Sequence, residues 1–523
     1  MKVCLILPPR LIIKGYRAPE AWPPLGLALI AGSLVKAGHV VVVVDAIGEG
    51  AEQTNALEFS INSDKLTADK HLLTLGLSPE QIADRIPADS KVIGISCMFT
   101  FNWISDRALL DYLKTRFPQA VFIAGGESIS GMPEQSLKQC AALDVCALGE
   151  GEETMLDILA AIENKTNLGL VSGIVYRADD GALIKTPPRA RMKDLEELPF
   201  PAWELFPVKK YHKLKSNSIA GADPEVTLPL IATRGCPYSC TFCTSPQMWG
   251  TRYYMRSPQN VIAEIEYLKK NFNATIIEFF DLTAIIKKEW IMEFTELLLE
   301  KNLNIQWRIP AGTRSEAIDD EVAHNLKKSG CYSITYAPES GSPRLLKIIK
   351  KKVVLKNLLQ SIRHSKKEGM RISINMIWGL PEENHLDIWK TIWFLIKCRL
   401  SGVTDLYGGF FRPYPGSALF DRVLKENKIQ LDNDDYLIDS LLIMQTRWDD
   451  TVYNENVSKF WYKIYYKLVL IAFYGSGYVM QPSSIIRTIK NSTSKNYENH
   501  FEHYLSLFYE KYRAKFNTAF SRA

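Results

Sequence analysis

Several things are scarce in this chain of 523 residues, and each scarcity removes a class of function. No apolar stretch reaches the ~18–20 residues that a membrane-crossing helix needs. The best candidate, Leu468 to Tyr474, is much too short, so no transmembrane segment is expected. The opening MKVCLILPPR is too brief an apolar run for a secretory leader and reads as a first strand. Cysteine is sparse and odd in number, nine in all, and Cys4, Cys97 and Cys331 sit in apolar, strand-like surroundings. That pattern argues against a disulfide framework and for a reducing, cytoplasmic setting. No G-x-G-x-x-G follows the first strand, which counts against dinucleotide binding. There is no basic stripe. Residues 440–523 hold eleven Lys and Arg against six Asp and Glu, which accounts for the whole net charge of +5. The neutral body gives nucleic-acid binding little support. The basic, aromatic tail points weakly to an anionic partner, against the plainer reading of a solvated helical surface. Internal repeats and low-complexity tracts are absent.

What is present is an ordinary globular composition, 46% apolar and 23% charged. Over residues 1–165, short β-branched runs alternate with helical patterns: Val3–Leu7, Val40–Val44, Lys91–Cys97, Val121–Ala124 and Asp144–Leu148 as strands, 24–37, 103–116 and 152–164 as helices. Such alternation predicts an α/β, doubly wound, Rossmann-like parallel sheet. Residues 50–85 read as a partly helical insertion. Residues 166–225 read as a linker with a hairpin around Asp179-Asp180-Gly181 and a Pro-punctuated stretch at 198–203. Residues 226–420 hold six further strand–helix units, with strands at 228–233, 275–280, 304–309, 333–337, 371–377 and 404–409, which predicts a partial (β/α)6 barrel. Residues 421–523 read as a helical C-terminal extension.

The first strand of the second region runs into Cys236-Pro-Tyr-Ser-Cys240-Thr-Phe-Cys243, a C-x3-C-x2-C spacing. Three thiols within eight residues point to a metal or redox role, and soft thiolates select zinc or iron–sulfur. A structural zinc ion takes four ligands, and the nearest further candidates, His212 and Cys331, are remote in sequence. Three thiolates on a four-iron cube leave one iron open to a chelating ligand. A zinc loop with a distant ligand stays the alternative. The loop lies at the carboxyl end of its strand, where β/α barrels keep their chemistry. So do Asp281, Thr313-Arg314, Pro338 to Ser342, Gly379 to Glu383 and Arg412 to Gly416.

The C-x3-C-x2-C spacing with Phe242 before its last cysteine resembles the radical S-adenosylmethionine (SAM) signature. The segments Glu339-Ser-Gly-Ser342, Gly379-Leu-Pro-Glu-Glu383 and Pro413-Tyr-Pro-Gly416 resemble those of radical SAM enzymes that carry a cobalamin-binding domain. The resemblance implies a [4Fe–4S] cluster on Cys236, Cys240 and Cys243, with SAM chelated at the open iron and cleaved to a deoxyadenosyl radical. It implies SAM contacts from Phe242, Glu339, Ser340, Arg314 and Gly379, with Arg314 or Arg412 pairing an anionic group. In the N-terminal region, Trp22-Pro-Pro24-Leu-Gly-Leu27, Val44-Asp45-Ala46, Gly125-Gly126-Glu127 and Leu148-Gly149-Glu150-Gly-Glu152 resemble the cobalamin domain of the same family. The implied cobalamin contacts are Trp22, Pro24, Asp45, Ser96, Gly125, Gly126, Glu127, Gly149 and Glu150. Glycines at strand ends let a flat ligand approach backbone, and a Rossmann-like nucleotide site is the competing reading. The chain departs from the D-x-H-x-x-G pattern that supplies a histidine to cobalt. Asp45 is followed by Ala46, Ile47 and Gly48, while His39 precedes the strand. No residue therefore identifies the lower cobalt ligand, and a domain that binds nothing stays open.

Beyond the cluster ligands no catalytic side chain is assigned. The resemblance implies cobalamin-dependent methylation of an unactivated carbon on a small-molecule or lipid-like natural-product substrate, with an electron donor such as flavodoxin or ferredoxin. An oxidative cyclase or rearrangement enzyme with the same cofactors is the second reading. A non-catalytic metal-binding interaction protein is the third.

Overall fold

A computed structural model describes the chain apart from residues 16–20, 57–60, 62, 64–70, 212–225, 314–316, 447–451, 481, 495–498, 500, 503–504, 507–508 and 510–523. The chain divides into two compact units that are not contiguous in sequence. The first comprises Met1–Lys215, Leu228–Glu264 and Arg412–Thr451; the second comprises Ser216–Thr227, Ile265–Phe411 and Val452–Ala523.

The first unit is built on a seven-stranded sheet of β1 (Lys2–Leu7), β2 (Val40–Asp45), β3 (Val92–Ser96), β4 (Val121–Gly125), β5 (Val145–Ala147), β6 (Ile174–Arg177) and β7 (Leu183–Lys185). Their spatial order is β7–β6–β5–β4–β3–β1–β2. The first five strands run parallel, with Leu7 opposite Asp45, Ser96 opposite Gly125, and Gly125 opposite Ala147, so their carboxyl ends line up along one edge. Val, Ile and Leu fill these strands because β-branched and aliphatic side chains suit a pleat covered on both faces. Val3, Ile6, Val44, Ile93, Phe122 and Val145 have no exposed surface. Helix α1 (Leu25–Lys36) packs on α3 (Gly151–Asn164), and α2 (Trp103–Arg116) links β3 to β4. Gly38 ends α1 with φ of 84°, a left-handed stop that lets the amides of Gly38 and His39 reach back to Val35 O and Leu34 O.

Two readings of the sequence differ from this structure. The hairpin expected in the linker is β6–β7, which extends the N-terminal sheet antiparallel to β5, with Val145 opposite Tyr176. The sheet is therefore mixed at that edge. Burial of Ile174, Val175 and Tyr176 accounts for it: an isolated two-stranded hairpin could not cover them. The insertion at 50–85 contributes strands Thr54–Ala56 and Leu72–Leu75 to a small antiparallel sheet with Arg10–Ile13. Among its described residues the helical part is the turn and a half Pro79–Ala83, capped by Ser78 and Gln81.

The second sheet has the order β8–β9–β10–β11–β12–β13, with β8 (Val226–Leu230), β9 (Ala274–Phe279), β10 (Gln306–Thr313), β11 (Cys331–Glu339), β12 (Arg371–Trp378) and β13 (Asp405–Phe410). The boundary between the units falls within β8. Strands β9 to β13 are parallel and consecutive, joined by α4 (Lys288–Glu300), α5 (Asp320–Lys328), α6 (Leu355–Lys367) and α7 (His385–Ser401). This is the expected open (β/α)6 arrangement. The C-terminal helices α8 (Lys459–Met480) and α9 (Ser483–Ser494) belong to the second unit, and α8 lies along α7. The helices Ala418–Lys425 and Asp435–Thr446 belong to the first, where Arg107 forms an ion pair with the buried Asp434 at 2.7 Å.

Candidate functional site: a three-cysteine loop on the N-terminal sheet

Chain continuity carries the cysteine loop from the short strand Thr233–Arg234, which pairs with Tyr254–Met255. Gly235 turns the chain with φ of 91°; a Cβ there would sit 2.2 Å from Arg252 O, so no other residue fits the turn without backbone movement. Cys236, Cys240 and Cys243 are all half-buried and free of disulfides. The amide of Cys243 donates to Cys240 O, and the amide of Ser245 donates to Cys243 Sγ at 3.4 Å. Burial pushes the Cys243 thiol up to about 11 against the lowering effect of the Ser245 N–H, and the nearby Cys240, Glu127 and Cys236 add to the rise.

Both ends of the loop are tied to the carboxyl edge of the N-terminal sheet. At the near end, Arg234 is buried, and its Nη1 donates to Glu150 Oε1 at 3.2 Å and to Glu152 Oε2 at 3.3 Å, while its Nη2 donates to Glu152 Oε1. Those carboxylates begin α3, where the helix N-terminus also favours negative charge. Glu150 further accepts from the Met192 amide at 2.9 Å and pairs with Arg191, whose guanidinium lies over the ring of Trp249. At the far end, Thr244 donates its hydroxyl to Glu127, the first residue after the Gly125-Gly126 turn. The segment Arg412 to Ser417 closes the same neighbourhood: Gly131 approaches Pro415 so closely that a Cβ would meet Pro415 O at 2.6 Å, and the Leu419 amide donates to Thr241 O at 2.9 Å.

The residues implied as cobalamin contacts fall into two groups. Ser96, Gly125, Gly126, Glu127, Gly149 and Glu150 gather at the aligned strand ends beside the cysteine loop, and Trp22 and Pro24 open α1 in the same unit. Gly126 has φ of 113°, and a Cβ there would meet Cys97 O at 2.6 Å; Gly149 has φ of 70° and donates its amide to Ser130. Asp45 is occupied otherwise. It is fully buried, caps the turn Ala46–Glu49 through the Gly48 amide at 2.8 Å, and accepts the Tyr211 hydroxyl at 2.8–2.9 Å. Burial raises its carboxyl to about 6 despite those donors.

Next to Ser96 stand Met98 and Phe99, large apolar side chains 46% and 43% exposed, with Arg10 over the Phe99 ring at 5.4 Å. Bare backbone at Gly125 beside exposed apolar side chains fits one face of a flat macrocycle. Three half-buried thiols on one loop are the donor set of a thiolate-held cluster, although among the described residues no three such side chains are gathered closely enough to hold a metal ion. The sequence signals missed Arg234, Thr244, Met98 and Phe99 as site residues, because no local spacing marks any of them, and took in Glu152 only as the end of the Leu148–Glu152 segment.

The implied SAM contacts divide between the units. Phe242 lies in the cysteine loop; Glu339, Ser340 and Gly379 belong to the second unit, and Arg314 lies outside the described residues. Glu339 ends β11 with φ of 69°, and its buried carboxylate accepts from Lys351 Nζ at 3.1 Å. Burial raises its pKa, and Lys351 opposes the rise. Ser340 is buried against Thr391 of α7, its hydroxyl 3.2 Å from Thr391 Oγ1. Gly341 lets this loop meet the helix; a Cβ would sit 2.7 Å from Thr391 Cα. Gly379, with φ of 74°, donates its amide to Glu383 Oε2 at 2.7 Å, and Tyr462 donates its hydroxyl to the same oxygen at 2.8 Å. Burial pushes Glu383 up to about 7.

Residues 15–159 match the family model of the B12 binding domain, and residues 230–395 match that of the radical SAM superfamily. An uncharacterized methyltransferase of Pyrococcus horikoshii is 27% identical over 431 residues, covering 82% of this chain and 84% of its own. An anaerobic magnesium-protoporphyrin IX monomethyl ester cyclase of Rubrivivax gelatinosus is 26% identical over 408 residues, covering 77% and 66%. Among solved structures, the radical S-adenosylmethionine methyltransferase TsrM from Kitasatospora setae, with cobalamin and a [4Fe–4S] cluster bound, superposes with a TM-score of 0.61. Its identity is 16%, and the match covers 81% of this chain and 78% of that one.

Proposed function

We propose that this chain, which belongs to the radical SAM enzymes that carry a B12-binding domain ahead of the radical SAM domain, is a cobalamin-dependent methyltransferase acting on an unactivated carbon of a small-molecule or lipid-like substrate. One observation carries the reading: the three-cysteine loop is tied at both ends, through Arg234 and Thr244, to the strand ends that would cradle the cobalamin. That juxtaposition brings the two cofactor sites into one compact unit.

In this reading Cys236, Cys240 and Cys243 hold the cluster, and Arg234 and Thr244 orient the loop that bears them. Ser96, Gly125, Gly126 and Gly149 leave room for the corrin, with Met98 and Phe99 against its apolar face. When bound, the cluster supplies the electron that cleaves SAM, and the cobalamin carries the methyl group. Phe242, half-buried in the same loop, is the aromatic that the family resemblance implies beside SAM. In the second unit, Glu339 is held by Lys351 and the Gly379 turn is braced by Glu383, two of the positions there that the family resemblance implies for SAM. Nine free cysteines fit a reducing cytoplasm, where a flavodoxin or ferredoxin would supply the electron.

The likeness to the protoporphyrin ester cyclase favours one second reading, radical ring closure with the same cofactors. Anaerobic purification with iron and cobalt quantified, then incubation with SAM and a reductant, tests both. 5′-Deoxyadenosine that disappears in Cys240→Ala, formed together with S-adenosylhomocysteine, is the methyltransferase outcome. Deoxyadenosine without S-adenosylhomocysteine favours the cyclase. One zinc per chain and no deoxyadenosine would overturn both.

A further inference from the structure

In the second unit, α7 and α8 pack along one another, and their outward surface is not the polar one expected of a solvated helix pair. On α7, Leu386, Trp389, Trp393 and Leu400 are exposed, Trp393 by 59% and Leu386 by 69%. Their spacings of three, four and seven residues put them on one face. On α8, Phe460, Trp461 and Ile471 are exposed, Phe460 by 67%. The two rows are joined, since Trp461 stacks on Tyr465 with centroids 5.8 Å apart and Tyr465 meets Trp389 edge-on at 5.8 Å. Contiguous apolar exposure of this kind marks a contact surface.

The same surface is cationic. Lys390 and Lys397 on α7 and Lys459, Lys463 and Lys467 on α8 are exposed, and Lys397 Nζ lies over the Trp393 ring at 5.5 Å. Helix α8 contains no Asp or Glu. The one acid of α7, Asp387, is buried and paired with Arg344. Trp and Leu to enter the headgroup region, with Lys beside them whose stems lie on apolar surface and whose ammonium groups stay in water, are the side chains of an interfacial helix. A soluble acidic partner would engage the lysines but leave the Trp and Leu row without a use.

We propose that this face of α7 and α8 docks on the surface of an anionic phospholipid bilayer. The contact is peripheral, because no helix among the described residues is long and apolar enough to cross a membrane. It does not depend on the reaction proposed above.

The test is sedimentation of the full-length holoenzyme with vesicles of phosphatidylglycerol mixed with phosphatidylcholine, against phosphatidylcholine alone. The expected result is binding to the anionic vesicles that weakens as salt rises, falling by about fivefold for each of Lys459→Gln, Lys463→Gln and Lys467→Gln. The double variant Trp389→Ser, Trp393→Ser is expected to lose binding at every salt concentration while keeping its iron content and unfolding temperature. Absence of sedimentation with anionic vesicles overturns the proposal, as does binding that none of these variants changes. Retention on a polyglutamate resin that the double Trp variant keeps in full, without vesicle binding, would overturn it in favour of an acidic protein partner.

Discussion

Arg234 and Glu150 lie 84 residues apart in sequence and 3.2 Å apart in the folded chain, and with Glu152 they form a buried cluster of one cation and two carboxylates just ahead of the cysteine loop. Removing Arg234 strands Glu152, while Glu150 keeps Arg191, and a buried charge without its partner keeps its full desolvation cost. Arg234→Met is expected to destabilise the protein by about 3–5 kcal/mol. It should also lower iron per chain after reconstitution, read by urea unfolding and iron quantification. Arg234→Lys keeps the charge but not the planar fork, and should fall between the two.

Gly126→Ala combines a left-handed backbone at φ of 113° with a Cβ placed 2.6 Å from Cys97 O. Backbone rather than a flexible side chain stands in the way, so the turn must move. A loss of about 1–3 kcal/mol in stability is expected. Cobalamin uptake should fall with it, measured by the visible spectrum after reconstitution.

Met98 and Phe99 are exposed, so changing them should cost the fold little. Met98→Ser is expected to shift stability by no more than about 0.5 kcal/mol, and Phe99→Ser by about 1 kcal/mol, because Phe99 stacks on Phe101 and lies under Arg10. The same variant should retain less cobalamin through gel filtration, while iron per chain stays at the wild-type value. Full cobalamin retention would remove both side chains from the proposed corrin face.

Glu383 carries a pH signature. Its carboxyl is raised from 4.5 to about 7 by burial, so the folded state holds the proton over a range where the unfolded chain has released it. The unfolded state binds fewer protons there, and stability falls as pH rises from about 4.5 to about 7, then levels off. Urea midpoints across that window should show the decline, and Glu383→Gln should flatten this residue's share of it.

Local signals were readable where a single physical cause acts over a few residues. The run Val40–Val44 is a buried parallel strand because β-branched side chains leave it few alternatives, and the helix Pro258–Phe272 begins where Ser257 and Pro258 put it. The cysteine spacing and the glycines at strand ends are likewise local. The hairpin β6–β7 was visible as a hairpin, but its place at the edge of the N-terminal sheet was not, since β6 pairs with residues of β5 that precede it by 27 to 31 positions. Asp45 shows the same limit. Its position at a strand end drew attention to ligand binding, while Tyr211, 166 residues on, takes both its oxygens.

The sequence by itself determined the chemistry this protein has available: three soft thiolates on one short loop, a parallel sheet with bare backbone at its strand ends, and a second series of β/α units. These follow from residue type and from periodicities of two and 3.6 that act between near neighbours. Only the tertiary structure decided that the thiolates belong beside those strand ends. It did so through contacts across 82, 84 and 117 residues, from Arg234 to Glu152, Arg234 to Glu150 and Thr244 to Glu127. The partners in such contacts are selected by burial, where an ion left alone is costly and a paired one is tolerated. Burial belongs to the assembled fold and is written in no short stretch of the chain.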